Sequence, residues 1–157
     1  SYDPRFLSAY FYLSTANSVY AGQPEITVSI LENKVLPSLS PQKNPLAFNL
    51  WIYKGVDEIL FLGDIPSAQK SYEMAANWAS QIPGAESVAQ RSLETANFLA
   101  QNPDSRKAQI NAWATILSSV FDDNTRQVAI DKIKNLGGDV IMKEDGTFKI
   151  KLPTEDE

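Results

Sequence analysis

Gly63-Asp64-Ile65-Pro66 constrains this chain more than any other stretch, because it places a helix stop and a helix start back to back. Glycine adopts the left-handed conformation that ends helices without steric cost. The second helix is expected to begin near Asp64 to Ser67, directly after that stop. The flanking segments are rich in apolar residues, so the pattern predicts two antiparallel helices over about 46–62 and 64–83. Leu46, Phe48, Leu50, Trp51, Ile52, Val56, Ile59, Leu60, Phe61 and Leu62 are too many for one stripe. The first helix is therefore expected to be buried on more than one side. Asn44-Pro45 is its expected start, and Pro83-Gly84 ends the second.

Comparable breaks recur at Gly22-Gln23-Pro24 and Asn102-Pro103, roughly 40 residues to either side, within the range of helical-repeat periods. They divide the chain into further helices over about 3–20, 24–36, 86–100, 105–121 and 122–137. The second of these is expected to turn Ile26, Ile30, Leu31 and Val35 to one side. The third carries Val88, Ala89, Leu93, Ala96 and Leu99. Lys132 and Lys134 complement the dipole at the end of the last helix. Residues 140–152 differ: VIMKEDGTFKIKL alternates around Asp145-Gly146, a hairpin signal. A two-residue turn there pairs Glu144 with Thr147 and puts Ile141, Phe148, Ile150 and Leu152 on one face. The acidic end, 154–157, is expected to fray.

Trp51-x2-Lys54-Gly55 and Ala68-x3-Tyr72-x2-Ala75 resemble a tetratricopeptide repeat. Lys54 stands where that pattern has Leu, Glu58 where it has Tyr, and Tyr72 where it has Phe. An ordinary helical hairpin is the alternative. The resemblance implies an all-α, right-handed superhelix of about three helical hairpins, which the residue pattern closes with a terminal helix and a small C-terminal β-hairpin. The domain would span residues 1–157, helical over 1–137 and hairpin over 138–153. Asp3-Pro4-Arg5-Phe6-x3-Tyr10 and Asp64-x3-Ala68-x3-Tyr72-x2-Ala75 are also similar to a loose group of bacterial repeat proteins, often membrane-anchored upstream. That likeness implies the soluble part of such a protein, with membrane association only through a removed N-terminal anchor.

Composition narrows the function. With 157 residues, 43% hydrophobic and 21% charged, the chain can build a core. A net charge of −5 argues against non-specific nucleic-acid binding. The chain has neither cysteine nor histidine, so thiolate chemistry and the commonest general base and metal ligand are absent. No metal or cofactor is expected. Ser67-x2-Lys70 matches a penicillin-binding nucleophile signature, but its companion motifs are missing and Ser40-x2-Lys43 repeats it in a loop. Asp122-Asp123-Asn124 reads as a cap rather than a calcium loop. Lys54 and Glu58 read as a surface i,i+4 pair.

Asn49, Tyr53 and Asp57 form a polar line along an otherwise apolar helix, and Tyr12 aligns with Tyr53 when Gly22 and Gly63 are superposed. In tetratricopeptide arrays the first helix of each pair lines a concave surface. The resemblance therefore implies that Tyr12, Asn49, Tyr53 and Asp57, with Arg91 from a later helix, face a groove for a protein or peptide partner. Amphipathic core-edge residues are the alternative reading. The expected function is a non-enzymatic assembly scaffold. Its alternative is a helical small-molecule or lipid-binding domain that closes Tyr12 and Tyr53 into a pocket, and an enzyme ranks third.

Overall fold

A computed structural model describes residues 24–102, 105–120 and 122–154. The expected helix over 3–20, and Tyr12 with it, lies outside the described residues. The chain divides into two compact units, 1–103 and 104–157. The described part is mostly helical, with one small antiparallel sheet near its end.

In the first unit, α1 spans Pro24–Ile30 and continues as a π-helical turn, Leu31–Val35, then a 3-10 turn, Leu36–Ser38. α2 spans Phe48–Asp57 and also widens into a π-helical turn, Glu58–Leu62. α3 spans Ile65–Ser80 and α4 spans Glu86–Gln101. α3 packs against both α2 and α4. The junction between α2 and α3 follows the local chemistry. Gly63 has φ +63°, and the Asp64 N–H donates to the Glu58 carbonyl across the helix end. The Asp64 carboxylate then accepts from the Ser67 N–H. α2 begins later than expected. Asn44 does not cap it, because its side-chain oxygen instead accepts from the Ser40 N–H and closes the preceding turn.

Among the described residues, two clusters contribute to this unit's core. Leu31, Leu36 and Leu50 gather Val35, Leu39, Trp51 and Tyr53. Phe48, Ala79 and Ala85 gather Ile52, Trp78, Ile82, Val88 and Ala89. Trp51 and Trp78 meet edge to face, centroids 5.8 Å apart. Three expected core positions are corrected. Ile26, Ile30 and Leu93 are exposed, while Val28 and Ser92 are buried. The buried stripe is Pro24, Thr27, Val28 and Leu31, spaced i, i+3, i+4 and i+7, and Ile26 and Ile30 lie off it on another side of the helix.

In the second unit, α5 spans Arg106–Ser119 and packs against α6, Asp123–Asn135. Ala112, Trp113, Ile116, Leu117 and Val120 are buried as the sequence predicts, with Ala129 and Ile133 from α6. Asp122 caps α6 through the Thr125 N–H and hydroxyl. β1, Asp139–Met142, packs on α6 and pairs antiparallel with β2, Phe148–Lys151.

The hairpin register differs by one from the expected one, pairing Met142 with Phe148 and Ile141 with Lys149. The turn is a three-residue loop, Glu144-Asp145-Gly146, in which the Lys143 N–H donates to Thr147 and the Gly146 N–H to Lys143. A two-residue type I′ turn needs positive φ at both central residues. Here Gly146 has φ +84°, and no described non-glycine residue has positive φ. The slip moves Ile141 away from Phe148 and Ile150, whose face it was expected to share, and onto the face of Lys149 and Lys151.

Candidate functional site

The most distinctive chemistry of the first unit is inside it. Lys54 on α2, Glu58 at the start of the π-helical turn and Ser71 on α3 close a ring of hydrogen bonds. The Lys54 ammonium donates to Glu58 Oε2 at 2.9 Å and to Ser71 Oγ at 3.1 Å. Ser71 Oγ donates to Glu58 Oε1 at 2.5 Å. The three residues are 4%, 2% and 1% exposed, so the expected surface pair is instead a buried ion pair. Helical spacing brings Lys54 and Glu58 together, and close packing of α3 supplies the hydroxyl between them. The ammonium also stands 5.8 Å from the centroid of the Trp51 ring.

The electrostatics follow from burial. Desolvation raises the Glu58 carboxyl above its ordinary range, against the opposing hydrogen bonds from Ser71 and Lys54 and the charge of Lys54; Asp64 adds to the rise. Tyr72, also buried, is raised by desolvation and by the charge of Glu58. Gly55 lies under that tyrosine: a Cβ at residue 55 would stand 2.8 Å from Tyr72 Cε2. At these exposures the ring of bonds is closed to solvent and acts within the fold, fixing how α2 lies on α3.

The expected partner-binding residues are placed unequally. Asn49 is half-buried and its side-chain amide donates to the Leu46 carbonyl. Tyr53 is half-buried against Leu31, Leu36 and Leu50. Asp57 is 1% exposed, beneath the surface rather than on it. Arg91 is exposed on α4. The Ser67 hydroxyl donates to Asp64 at 2.7 Å, as part of the α3 cap, and Lys70 is exposed.

Sequence reasoning missed the buried ring. The signal was present in two pattern positions. Lys54 and Glu58 both replace residues that the tetratricopeptide pattern keeps apolar or aromatic, and they are opposite charges four residues apart. Such a double replacement at core positions is what a buried pair requires. Among the described residues no cluster of three or more acidic side chains could hold a metal ion. Among them, too, no helix is long and apolar enough to cross a membrane. Comparison with family models, curated proteins and solved structures finds no match to this chain.

Proposed function

We propose that the chain is a non-enzymatic helical-repeat module that binds a protein or peptide partner, its hairpins stacking as a right-handed superhelix. One observation carries this reading. The residues that give the tetratricopeptide likeness are those that join α2 to α3. Gly55 receives the Tyr72 ring, and Ala68 and Ala75 are fully buried along α3. A hairpin that seals its two helices with small residues and one aromatic leaves its outer face for neighbouring repeats or a partner.

On this reading Asn49 and Tyr53 of α2 and Arg91 of α4 line the contact surface. Tyrosine and asparagine combine hydrogen bonding with a modest entropy cost, which suits recognition of a peptide backbone. Asp57 lies behind them and acts through the helix rather than by contact.

The test is a photo-crosslinking residue placed singly at Asn49, at Arg91 and, as a control, at exposed Glu73 on α3. The expected result is one protein captured from positions 49 and 91 and not from 73. Equal capture from all three positions would remove the groove. A small molecule that co-purifies, with no captured protein, would move the assignment to a ligand-binding domain.

A further inference from the structure

The hairpin of the second unit carries a surface independent of Asn49, Tyr53 and Arg91. Residues opposite each other in a ladder share a face. Asp139 and Ile141 of β1 therefore lie beside Lys151 and Lys149 of β2, and all four are exposed. Lys143, two residues beyond Ile141, continues that face. Among the described residues none of these three lysines forms an ion pair. The face thus concentrates unpaired cations on a chain whose net charge is −5.

The backbone shows which edge is open. The Lys143 N–H donates to the Thr147 carbonyl at 2.7 Å, so residues 143 and 147 are a hydrogen-bonded pair. Alternation along an antiparallel ladder makes Ile141–Lys149 and Asp139–Lys151 the next bonded pairs. Phe148 and Ile150 therefore turn their N–H and C=O groups outward, and no backbone bond among the described residues takes them. The matching edge of β1 is partly closed, because the Val140 N–H donates to the Asp139 side chain at 2.8 Å.

We propose that β2 is a docking edge for an extended acidic segment of a protein partner, added as a third strand with carboxylates at alternate positions. Backbone bonds to Phe148 and Ile150 hold such a strand, and its alternate side chains fall beside Lys149 and Lys151. Residues two apart on a strand are separated by about 6.6 Å along it on both sides of the pair, so the charges stay in register. Lysines on an edge strand repel indiscriminate pairing. The same lysines attract a strand that carries acids at the same period.

The test uses the full chain, observed by amide NMR and titrated with a short peptide of alternating threonine and glutamate. The expected result is perturbation and slowed exchange of the Phe148 and Ile150 amides. Lys149→Glu/Lys151→Glu weakens that binding by about tenfold or more, since like charges across an interface are strongly disfavoured. The same variant gains binding to a threonine–lysine peptide. Four results would overturn the proposal. One is equal binding by a peptide whose glutamates are consecutive, which makes the attraction non-specific. Another is binding of anionic phospholipid vesicles without binding of the peptide. A third is perturbation confined to the helices. The last is self-association of Lys149→Thr/Lys151→Thr while the wild-type chain ignores the peptide, which leaves the lysines as guards of the edge and nothing more.

Discussion

Gly55 is where the smallest change should loosen the α2–α3 contact. Replacing it by alanine gains about 1 kcal/mol of helix propensity. The new Cβ would lie 2.8 Å from Tyr72 Cε2 and 3.0 Å from Cδ2, against a buried ring. Overpacking of that kind costs about 1–3 kcal/mol, so Gly55→Ala is expected to lower the urea midpoint. In a Tyr72→Leu background the clash is relieved and the same change should raise it. A higher midpoint for Gly55→Ala in the wild-type background would show that the ring has room. The buried ring of Lys54, Glu58 and Ser71 obeys a different rule. Lys54→Met leaves a buried carboxylate without its cation, which costs about 3–5 kcal/mol. Adding Glu58→Leu should recover most of that loss, because two apolar side chains can replace a buried pair at little cost. Denaturation of the single and double variants checks this, and a double variant no more stable than Lys54→Met would show that the pair is not coupled. The sequence disclosed the spacing of Lys54 and Glu58 but not their burial. Spacing sets which side chains can meet along a helix, whereas burial depends on Ser71, thirteen residues away from Glu58 on another helix.

At the level of elements, the punctuation was the most legible feature. Gly63, Asp122 and Gly146 act as helix stop, cap and turn where the sequence placed them. Each works through its own backbone or that of a residue three positions on, so local sequence suffices. Gly63 gives a direct check. Nothing lies within 4 Å of a Cβ added there, so Gly63→Ala meets only the backbone penalty of its positive φ. That penalty is about 1–2 kcal/mol, and it should appear as an equivalent loss in denaturation free energy. Gly63→Asn should lose less, since asparagine tolerates the left-handed region better; equal losses for both would mean that the helix end shifts instead. The elements misread were those decided beyond the local window. Asp145-Gly146 serves a two-residue or a three-residue loop, and only the conformation of Asp145 separates them. The π-helical turns Leu31–Val35 and Glu58–Leu62 add a residue per turn that a 3.6-residue period does not anticipate. Leu93 was expected inside because it is apolar, but α4 buries Ser92 in its place, alongside the expected Ala96 and Leu99.

For the whole molecule, the sequence conveyed helical content, the order of elements and the closing hairpin, and the consequence it could not convey is how stability responds to pH. Half-buried Asp122 and exposed Asp145 have carboxyls lowered by hydrogen bonds from Thr125 and Thr147 respectively. Such groups support the fold above their ordinary range and lose that support as pH falls through the folded value. Glu58 has the opposite sign. Its folded pKa is raised, so between the usual value of about 4.3 and the raised value the folded chain holds a proton that the unfolded chain releases. Stability therefore falls as pH rises through that window, and the Glu58 penalty is absent below it. The difference in unfolding free energy between wild type and Glu58→Gln should accordingly shrink or reverse on going from acid to neutral pH. A difference that stays flat would mean that the Lys54 charge fully offsets desolvation. Tyr72 controls the alkaline side. Burial and the nearby Glu58 charge keep its hydroxyl protonated in the fold after an unfolded tyrosine has ionised, above about pH 10. Stability must then fall with rising pH, because the unfolded state alone gains the ionised form. Tyr72→Phe retains the ring over Gly55 and removes the proton. It should match wild type near neutrality and lose less stability than wild type above pH 10, where all other groups titrate alike in both chains. Parallel curves would mean that the Tyr72 hydroxyl ionises as freely in the folded chain as in the unfolded one, and that the α2–α3 contact opens enough to hydrate it.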